Sequence, residues 1–200
     1  KGVKFLPNSN TLYFLNNEPF VWNIFESNPR RLEFPEDLYF SGYSFDISPD
    51  NKTLIISEEM NSINIIDLEN KSMKQLDYPS RYVGAVKFSP TGNEFASAFD
   101  DKVLIYDAQT GDVISSIELV NKSLAIVDVT FSADGAFLAL ASSEEVIIYD
   151  IKYNREKVRY KFTSNKSYGS MAFSSNSKIL FVGTQSGQVF VIDCESEKSF

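Results

Sequence analysis

Short stretches of this chain alternate hydrophobic and polar residues, and each stretch ends at a cluster of turn-forming residues. In the middle of the chain this pattern predicts four strands, at 83–89, 94–99, 102–106 and 113–119. β-Branched and aromatic residues fill the strands, while Pro, Gly, Asn and Asp supply the turns between them. No stretch of useful length has the spacing of an amphipathic helix. The chain is therefore predicted to be all-β.

The same short pattern returns at a nearly constant interval. An alternating strand ends in an apolar residue, which a small or polar residue and a turn then follow. The leading apolar residues are 42, 41, 43 and 42 positions apart: Phe5, Ile47, Phe88, Phe131 and Phe173. A period of this length is a signature of repeat architectures.

A second landmark keeps the same interval. Each unit has an apolar strand that ends in Asp or, in the first unit, Asn. These pairs are Trp22-Asn23, Ile66-Asp67, Tyr106-Asp107, Tyr149-Asp150 and Ile192-Asp193. Two landmarks in register predict five units, at residues 1–38, 39–81, 82–122, 123–164 and 165–200.

Each unit is predicted to form one antiparallel sheet of four strands. A small sheet cannot bury both of its faces alone, so such sheets stack around an axis as the blades of a β-propeller. The five units would be five blades. Because an open arc leaves bare sheet edges, we expect them to be part of a larger ring of the seven-bladed type.

The repeat resembles the WD40 repeat, which has about 40–45 residues and a strand that ends in Trp-Asp. The best match is Phe88-Ser89-Pro90-Thr91-Gly92, followed by Asp100 and by Tyr106-Asp107. The chain has no histidine, so the Gly-His pair and the Asp-His-Ser-Trp network of typical members are absent. The stretches 48–54 and 187–193 also resemble the bacterial YVTN-type and quinoprotein-like propellers. The resemblance implies a propeller that holds other proteins.

Charge and composition exclude some function classes. The net charge is −8 and the pI is about 4.7, which argues against a general nucleic-acid surface or docking on anionic membranes. The single cysteine, Cys194, cannot form an intrachain disulfide, which fits an intracellular protein of the cytoplasm or nucleus. A small residue at a strand end is the favoured interpretation of Cys194.

Few residues are suited to catalysis. Without histidine there is no His-based triad and no imidazole metal site. No P-loop or dinucleotide-binding glycine motif is present. We therefore predict no catalytic residues, no metal and no cofactor.

Acidic pairs are the first candidate binding feature. They fall between the second and third predicted strands of three successive units: Glu58-Glu59, Asp100-Asp101 and Glu144-Glu145. These loops should open at one end of the ring and could receive a basic segment of a partner protein. Solvated turn residues, partly neutralised by nearby lysine and arginine, are the alternative interpretation.

Tyrosines beside the links between units are the second candidate feature: Tyr39, Tyr43, Tyr82 and Tyr168. Aromatic residues are enriched at interface hot spots, although packing between blades is an equally good explanation for each. Basic residues on the outer strands, such as Arg30-Arg31, are interpreted as protection of a sheet edge.

These features predict a non-enzymatic interaction scaffold within a larger multiprotein complex. One alternative is an enzyme of the lactonase or quinoprotein-like propeller group, with a metal or cofactor in the central channel. The residues that would face this channel, Lys4, Asp46, Lys87, Thr130 and Ala172, form no consistent ligand set. A third interpretation is that the blades only support neighbouring domains.

Overall fold

Nineteen strands make up the regular structure of the described part of the chain. The computed structural model describes residues 3–6, 9–15, 19–32, 44–58, 62–77, 84–118, 125–162 and 168–195.

Blade 1 consists of β1 (Val3–Phe5), β2 (Thr11–Leu15), β3 (Pro19–Asn23) and β4 (Arg30–Arg31). Blade 2 consists of β5 (Ser44–Ile47), β6 (Thr53–Ser57), β7 (Ser62–Asp67) and β8 (Ser72–Asp77). Blade 3 consists of β9 (Val86–Phe88), β10 (Glu94–Phe99), β11 (Lys102–Asp107) and β12 (Val113–Glu118). Blade 4 consists of β13 (Ile126–Phe131), β14 (Phe137–Ser142), β15 (Glu145–Asp150) and β16 (Arg155–Lys161). Blade 5 consists of β17 (Tyr168–Phe173), β18 (Ile179–Thr184) and β19 (Val189–Asp193).

Every blade is an antiparallel meander in which consecutive strands are neighbours. Four sheets have four strands, and the fifth has three within the described residues. This confirms the predicted all-β propeller of four-stranded antiparallel blades. The four predicted boundaries between units fall in stretches outside the described residues, so they stay predictions.

The first repeated landmark is a serine turn between the inner two strands. Ser132 Oγ accepts a hydrogen bond from Phe137 N at 2.9 Å and donates one to Asp134 Oδ1 at 2.6 Å. The next residue, Gly135, has a φ of 73°, a conformation that glycine adopts without strain. Two other serines make the same pair of bonds. Ser48 accepts from Thr53 N and donates to Asp50, and Ser174 accepts from Ile179 N and donates to Asn176. The serine is therefore selected by the geometry of the turn.

The second landmark, the aspartate, caps the hairpin between the third and fourth strands. Asp107 Oδ1 accepts hydrogen bonds from Gln109 N at 2.9 Å and Thr110 N at 2.7 Å. These bonds, above all the one from Thr110, lower the pKa of the Asp107 carboxyl. The equivalent residues accept bonds from the backbone of the same turn: Asn23, Asp67, Asp150 and Asp193.

The hydrophobic core lies between blades. Ile55 and Ile63 of blade 2 pack in one cluster with Phe88 and Phe95 of blade 3. Within that cluster the rings of Phe95 and Tyr106 stack at a centroid distance of 4.8 Å. Similar clusters join blades 3 and 4 and blades 4 and 5. Blades 2, 3 and 4 are thus covered on both faces by their neighbours.

Replacing Phe88 with Ala should lower the free energy of unfolding by about 3–5 kcal/mol, because a buried ring is removed from the contact between blades 2 and 3. Urea denaturation measures this loss. Phe25→Ala is the matched control, since this ring is exposed, and should change stability by less than about 0.5 kcal/mol. A loss below about 1 kcal/mol for Phe88→Ala would contradict the assignment of Phe88 to the core.

Candidate interaction surface

The loops between the second and third strands open at one end of the propeller. In an antiparallel meander, successive connections alternate between the two ends of the sheet. Position 58 and positions 100–101 and 143–144 therefore lie at the same end. This end carries the described residues of the predicted acidic pairs, and we name it the acidic end.

Glu58 turns inward at the acidic end of blade 2. Its side chain is only 6% exposed, and Glu58 Oε1 accepts a hydrogen bond from Asn64 Nδ2 at 3.4 Å. The neighbouring Glu59 lies outside the described residues. The one described carboxylate of this pair, that of Glu58, is therefore not available to a partner in solvent.

Glu145 is a structural carboxylate. It is 2% exposed and forms an ion pair with Arg159 Nη1 on the adjacent strand β16. Arg159 also binds Glu156, with its Nη2 at 2.6 Å from Glu156 Oε2. The bonds to Glu156 and then to Glu145 raise the pKa of the Arg159 guanidinium above its usual value. The pair fixes β15 against β16.

Asp100, Asp101 and Glu144 remain accessible. Asp100 and Glu144 are exposed and Asp101 is half-buried. Their backbones are held in place: Asp100 O accepts a bond from Ile126 N at 2.6 Å, and Glu144 O accepts one from Phe162 N at 2.7 Å. The carboxylates of blades 3 and 4 are therefore presented from a fixed backbone.

Tyr168 packs between blades. It is buried, and its hydroxyl donates a hydrogen bond to Asp128 of blade 4. Burial raises the pKa of the Tyr168 hydroxyl and of the Asp128 carboxyl, although Tyr168 and Lys87 both act against the rise at Asp128. Tyr39, Tyr43 and Tyr82 lie outside the described residues, so their part in binding stays a prediction.

Asp46 is a buried residue whose role sequence reasoning missed. Its carboxylate forms an ion pair with Lys4 of blade 1 and accepts a hydrogen bond from Phe88 N of blade 3 at 2.9 Å. Asp46 thus joins three consecutive blades along their inner strands. The sequence does contain a sign of this ion pair. Asp46 stands 42 residues after Lys4, so two opposite charges occupy the same position in consecutive units of the repeat.

A cavity of about 240 Å³ lies beside this pair. Its lining includes Lys4, Asp46, Lys87 and Thr130, four of the five residues predicted to face the channel. Because both oxygens of Asp46 are already engaged, these side chains do not form an open set of ligands. Across the described residues no group of three or more His, Cys, Asp or Glu side chains is placed to hold a metal ion.

Cys194 is buried at the end of β19. Burial raises the pKa of its thiol to about 11, so the unreactive thiol form dominates at neutral pH. The residue packs in the core between blades 4 and 5.

In the part of the chain that the structure describes, no helix has the length and apolar character needed to cross a membrane.

Comparison with known proteins gives two findings. The WD domain, G-beta repeat family matches residues 70–107, which run from the outer strand of blade 2 to the third strand of blade 3. WD repeat-containing protein 1 of Mus musculus is 34% identical over 89 residues, and the Rattus norvegicus protein of that name is 34% identical over 92 residues. Each alignment covers 43% of this chain and only 15% of the relative's length.

Replacing Arg159 with Ala should lower the free energy of unfolding by about 3 kcal/mol at neutral pH, because it leaves the buried Glu145 carboxylate without its partner. Urea denaturation would measure the loss. Lys161→Ala, an exposed change on the same strand, should cost less than about 0.5 kcal/mol. Equal effects of the two substitutions would contradict a structural role for the Glu145–Arg159 pair.

Asp128→Asn should stabilise the protein at pH 7. The raised pKa means that the folded state favours the protonated form of Asp128, so the carboxylate costs stability at neutral pH. Asparagine is neutral and its one oxygen can still accept the bond from Tyr168, while the local bond from Val129 N to the other oxygen of Asp128 is lost at every pH. The pH-dependent part of its advantage should be complete above the raised pKa, shrink as the pH falls through it, and vanish below the ordinary value of 3.8. Denaturation of both proteins between pH 7 and pH 4 measures this difference, and an advantage that stays constant with pH would contradict the assignment.

Proposed function

We propose that this β-propeller, which is similar to the WD domain, G-beta repeat over residues 70–107, is a non-enzymatic scaffold that holds other proteins as a subunit or domain of a larger assembly. The observation that carries the proposal is the combination of WD40-like blades with turns that the fold holds in fixed positions. Fold alone does not determine function, so the proposal also depends on the surface that these turns present.

The ordered turns favour binding at low entropic cost. The acidic-end turns of blades 3 and 4 accept backbone hydrogen bonds, and the blades beneath them are packed on both faces. Partner binding then loses little conformational freedom on the side of the propeller. This is the physical advantage of a stiff platform over a flexible loop.

Asp100, Asp101 and Glu144 are the proposed contact residues at the acidic end. All three carry carboxylates at the surface of adjacent blades, on a protein whose net charge is −8. A partner with a basic segment would be attracted to this end, and its approach would be faster at low salt. Glu58, Glu145 and Tyr168 are buried, so we assign them to support rather than to contact.

Exposed apolar side chains on blades 1 and 5 support membership of a larger assembly. Phe181 and Val189 of blade 5 are exposed, whereas the equivalent residues of blade 4, Ala139 and Val146, are covered by blade 5. Val3 and Phe5 of blade 1 are also exposed. We propose that a further propeller blade packs against each of these faces, as blades pack against one another within this chain.

The triple variant Asp100→Asn, Asp101→Asn, Glu144→Gln should lose specific partners in a pull-down from native extract. Neutralising three surface carboxylates removes the attraction for a basic segment while leaving the fold intact. Asn at position 100 also tolerates the φ of 43° found there. Quantitative mass spectrometry of the bound proteins gives the readout, with at least a fivefold decrease expected for partners of the acidic end.

A matched control neutralises three exposed carboxylates elsewhere: Glu69→Gln, Asp112→Asn and Glu195→Gln. It makes the same change of charge and should retain the partners. Equal losses in both triple variants would indicate a general effect of net charge. A partner set that neither variant alters would contradict binding at the acidic end, and the absence of any specific partner would contradict the scaffold function.

A further inference from the structure

The fourth strand of a blade lies at the outer edge of its sheet. In blade 3 this strand is β12, whose one neighbour among the described residues is β11. One side of an edge strand carries backbone N–H and C=O groups that no strand of the same sheet pairs with. Such an edge can pair with a strand of another chain, so proteins protect it with charged residues, above all lysine.

Basic residues protect three of the four outer strands that the structure describes. β4 consists of Arg30 and Arg31, and β8 contains Lys74. β16 contains four basic residues: Arg155, Lys157, Arg159 and Lys161. β12 has no basic residue, and its one charged residue is Glu118 at its end. The edge of blade 3 is therefore the exception.

Blades 3 and 4 have a β-bulge at the same place, where one residue is added to the outer strand. The added residue is Ile114 in blade 3 and Lys157 in blade 4. The residue before it pairs with the tyrosine near the end of the third strand, and it is Val113 in blade 3 and Glu156 in blade 4. Blade 3 thus has two apolar residues where blade 4 has an acid and a base.

The two apolar side chains at this bulge are exposed. Val113 is 53% exposed and Ile114 is 52% exposed. Ser115 and Ser116, which follow them, add no charge to the edge. A strand that pairs with β12 would cover apolar side chains as well as backbone groups, and both effects favour association.

β12 is held in place at both ends and in its core contact. At one end, Asp107 N donates a hydrogen bond to Asp112 O at 2.9 Å. At the other end, Lys102 and Glu118 form an ion pair at 2.7 Å. Ile117 is buried in the core that joins blades 3 and 4. An incoming strand therefore meets an edge that is already ordered, which limits the entropic cost of pairing.

Charge decides what kind of strand fits this edge. The net charge of the chain is −8, so two copies repel each other, and a second copy would bring the acidic ends of its own β12 close to those of the first. Asp112, just before the bulge, is exposed. A segment with basic ends is therefore attracted to an edge that repels a second copy.

We propose that the edge of β12 accepts one additional strand from a partner protein, an extended segment of β-branched residues with basic ends. Backbone hydrogen bonds along the edge would supply much of the affinity. Val113 and Ile114 would pack against apolar side chains of the segment, and Asp112 would attract one of its basic ends.

This edge is separate from the acidic end. Val113 and Ile114 follow the β11–β12 hairpin, which lies at the opposite end of blade 3 from the loop between β10 and β11. The inference therefore goes beyond the proposed function, and the two can fail separately.

The test uses a fluorescein-labelled octapeptide that alternates valine with threonine between two terminal lysines. Fluorescence anisotropy measures its binding to the protein at about 150 mM salt, where screening weakens non-specific attraction to surface carboxylates. We expect saturable binding with a Kd below about 1 mM. Ile114→Lys, which introduces the residue of blade 4, should weaken binding at least about tenfold.

The matched control is Val127→Lys. Val127 is also the residue added at a β-bulge and is 43% exposed, but it lies on the inner strand β13. This variant makes the same change of charge and should leave peptide binding unaltered, as should the neutralised acidic end. Urea denaturation verifies that every variant is folded.

Two further peptides test the backbone pairing. Each is N-methylated at every second residue, so that one peptide loses the N–H groups of one edge and the other peptide those of the opposite edge. Only one of the two edges can face β12, so one peptide should bind at least about tenfold more weakly than the other. A version with terminal glutamates should also bind more weakly than the peptide with lysines.

Lack of saturable binding, equal losses from Ile114→Lys and Val127→Lys, or equal effects of the two N-methylated peptides would each overturn the proposal. Binding that is lost in the neutralised acidic end but kept in Ile114→Lys would also overturn it, and would leave the scaffold function standing. Sedimentation of the protein alone tests the other occupant. A dimer that Ile114→Lys abolishes would assign the edge to a second copy and overturn the proposal.

Discussion

Each blade of this protein has two apolar faces, and a four-stranded sheet cannot bury both by itself. The whole architecture follows from this constraint. Ile55 and Ile63 leave water only because Phe88 and Phe95 of the next blade cover them, and the same dependence is repeated along the chain. A residue in such a core stabilises two blades at once. Because the sheets are packed, the turns at both of their ends are also held in place.

Polar links along the inner strands add to this apolar packing. Asp46 connects blades 1, 2 and 3, and Asp128 connects blade 4 to Tyr168 of blade 5. The histidine-based network of typical WD40 repeats cannot form in a chain that lacks histidine. Here the buried Asp46 and the half-buried Asp128 bond to neighbouring blades, so a part of the polar structure is also shared between blades.

The repeated turns were predictable from sequence because their chemistry is local. The hydrogen bonds of Ser132 reach no further than five residues along the chain, and those of Asp107 no further than three. A regular spacing of such residues therefore predicts the turns directly. The strands followed from the same spacing. In blade 3 the observed strand Glu94–Phe99 coincides with the predicted one, and the prediction for β11 ended one residue early.

The candidate site was less predictable, since adjacent residues on a strand point to opposite sides. Glu144 faces solvent, but Glu145 begins β15 and turns inward to an arginine fourteen residues later. No short-range pattern in the sequence predicts this ion pair. The unprotected edge of blade 3 could have been noticed, because aligning blades 3 and 4 on their capping residues places Val113 and Ile114 where blade 4 has two charged residues.

The central claim is that the blades form a rigid platform before any partner binds. Amide hydrogen exchange, measured on the protein alone and together with the proteins that co-purify with it, tests this most directly. The account predicts slow exchange in the strands of blades 2 to 4 without a partner, and additional protection on binding that is confined to turns and hairpins. If the strands exchange rapidly alone and become protected only in the complex, the platform forms on binding and the account is wrong.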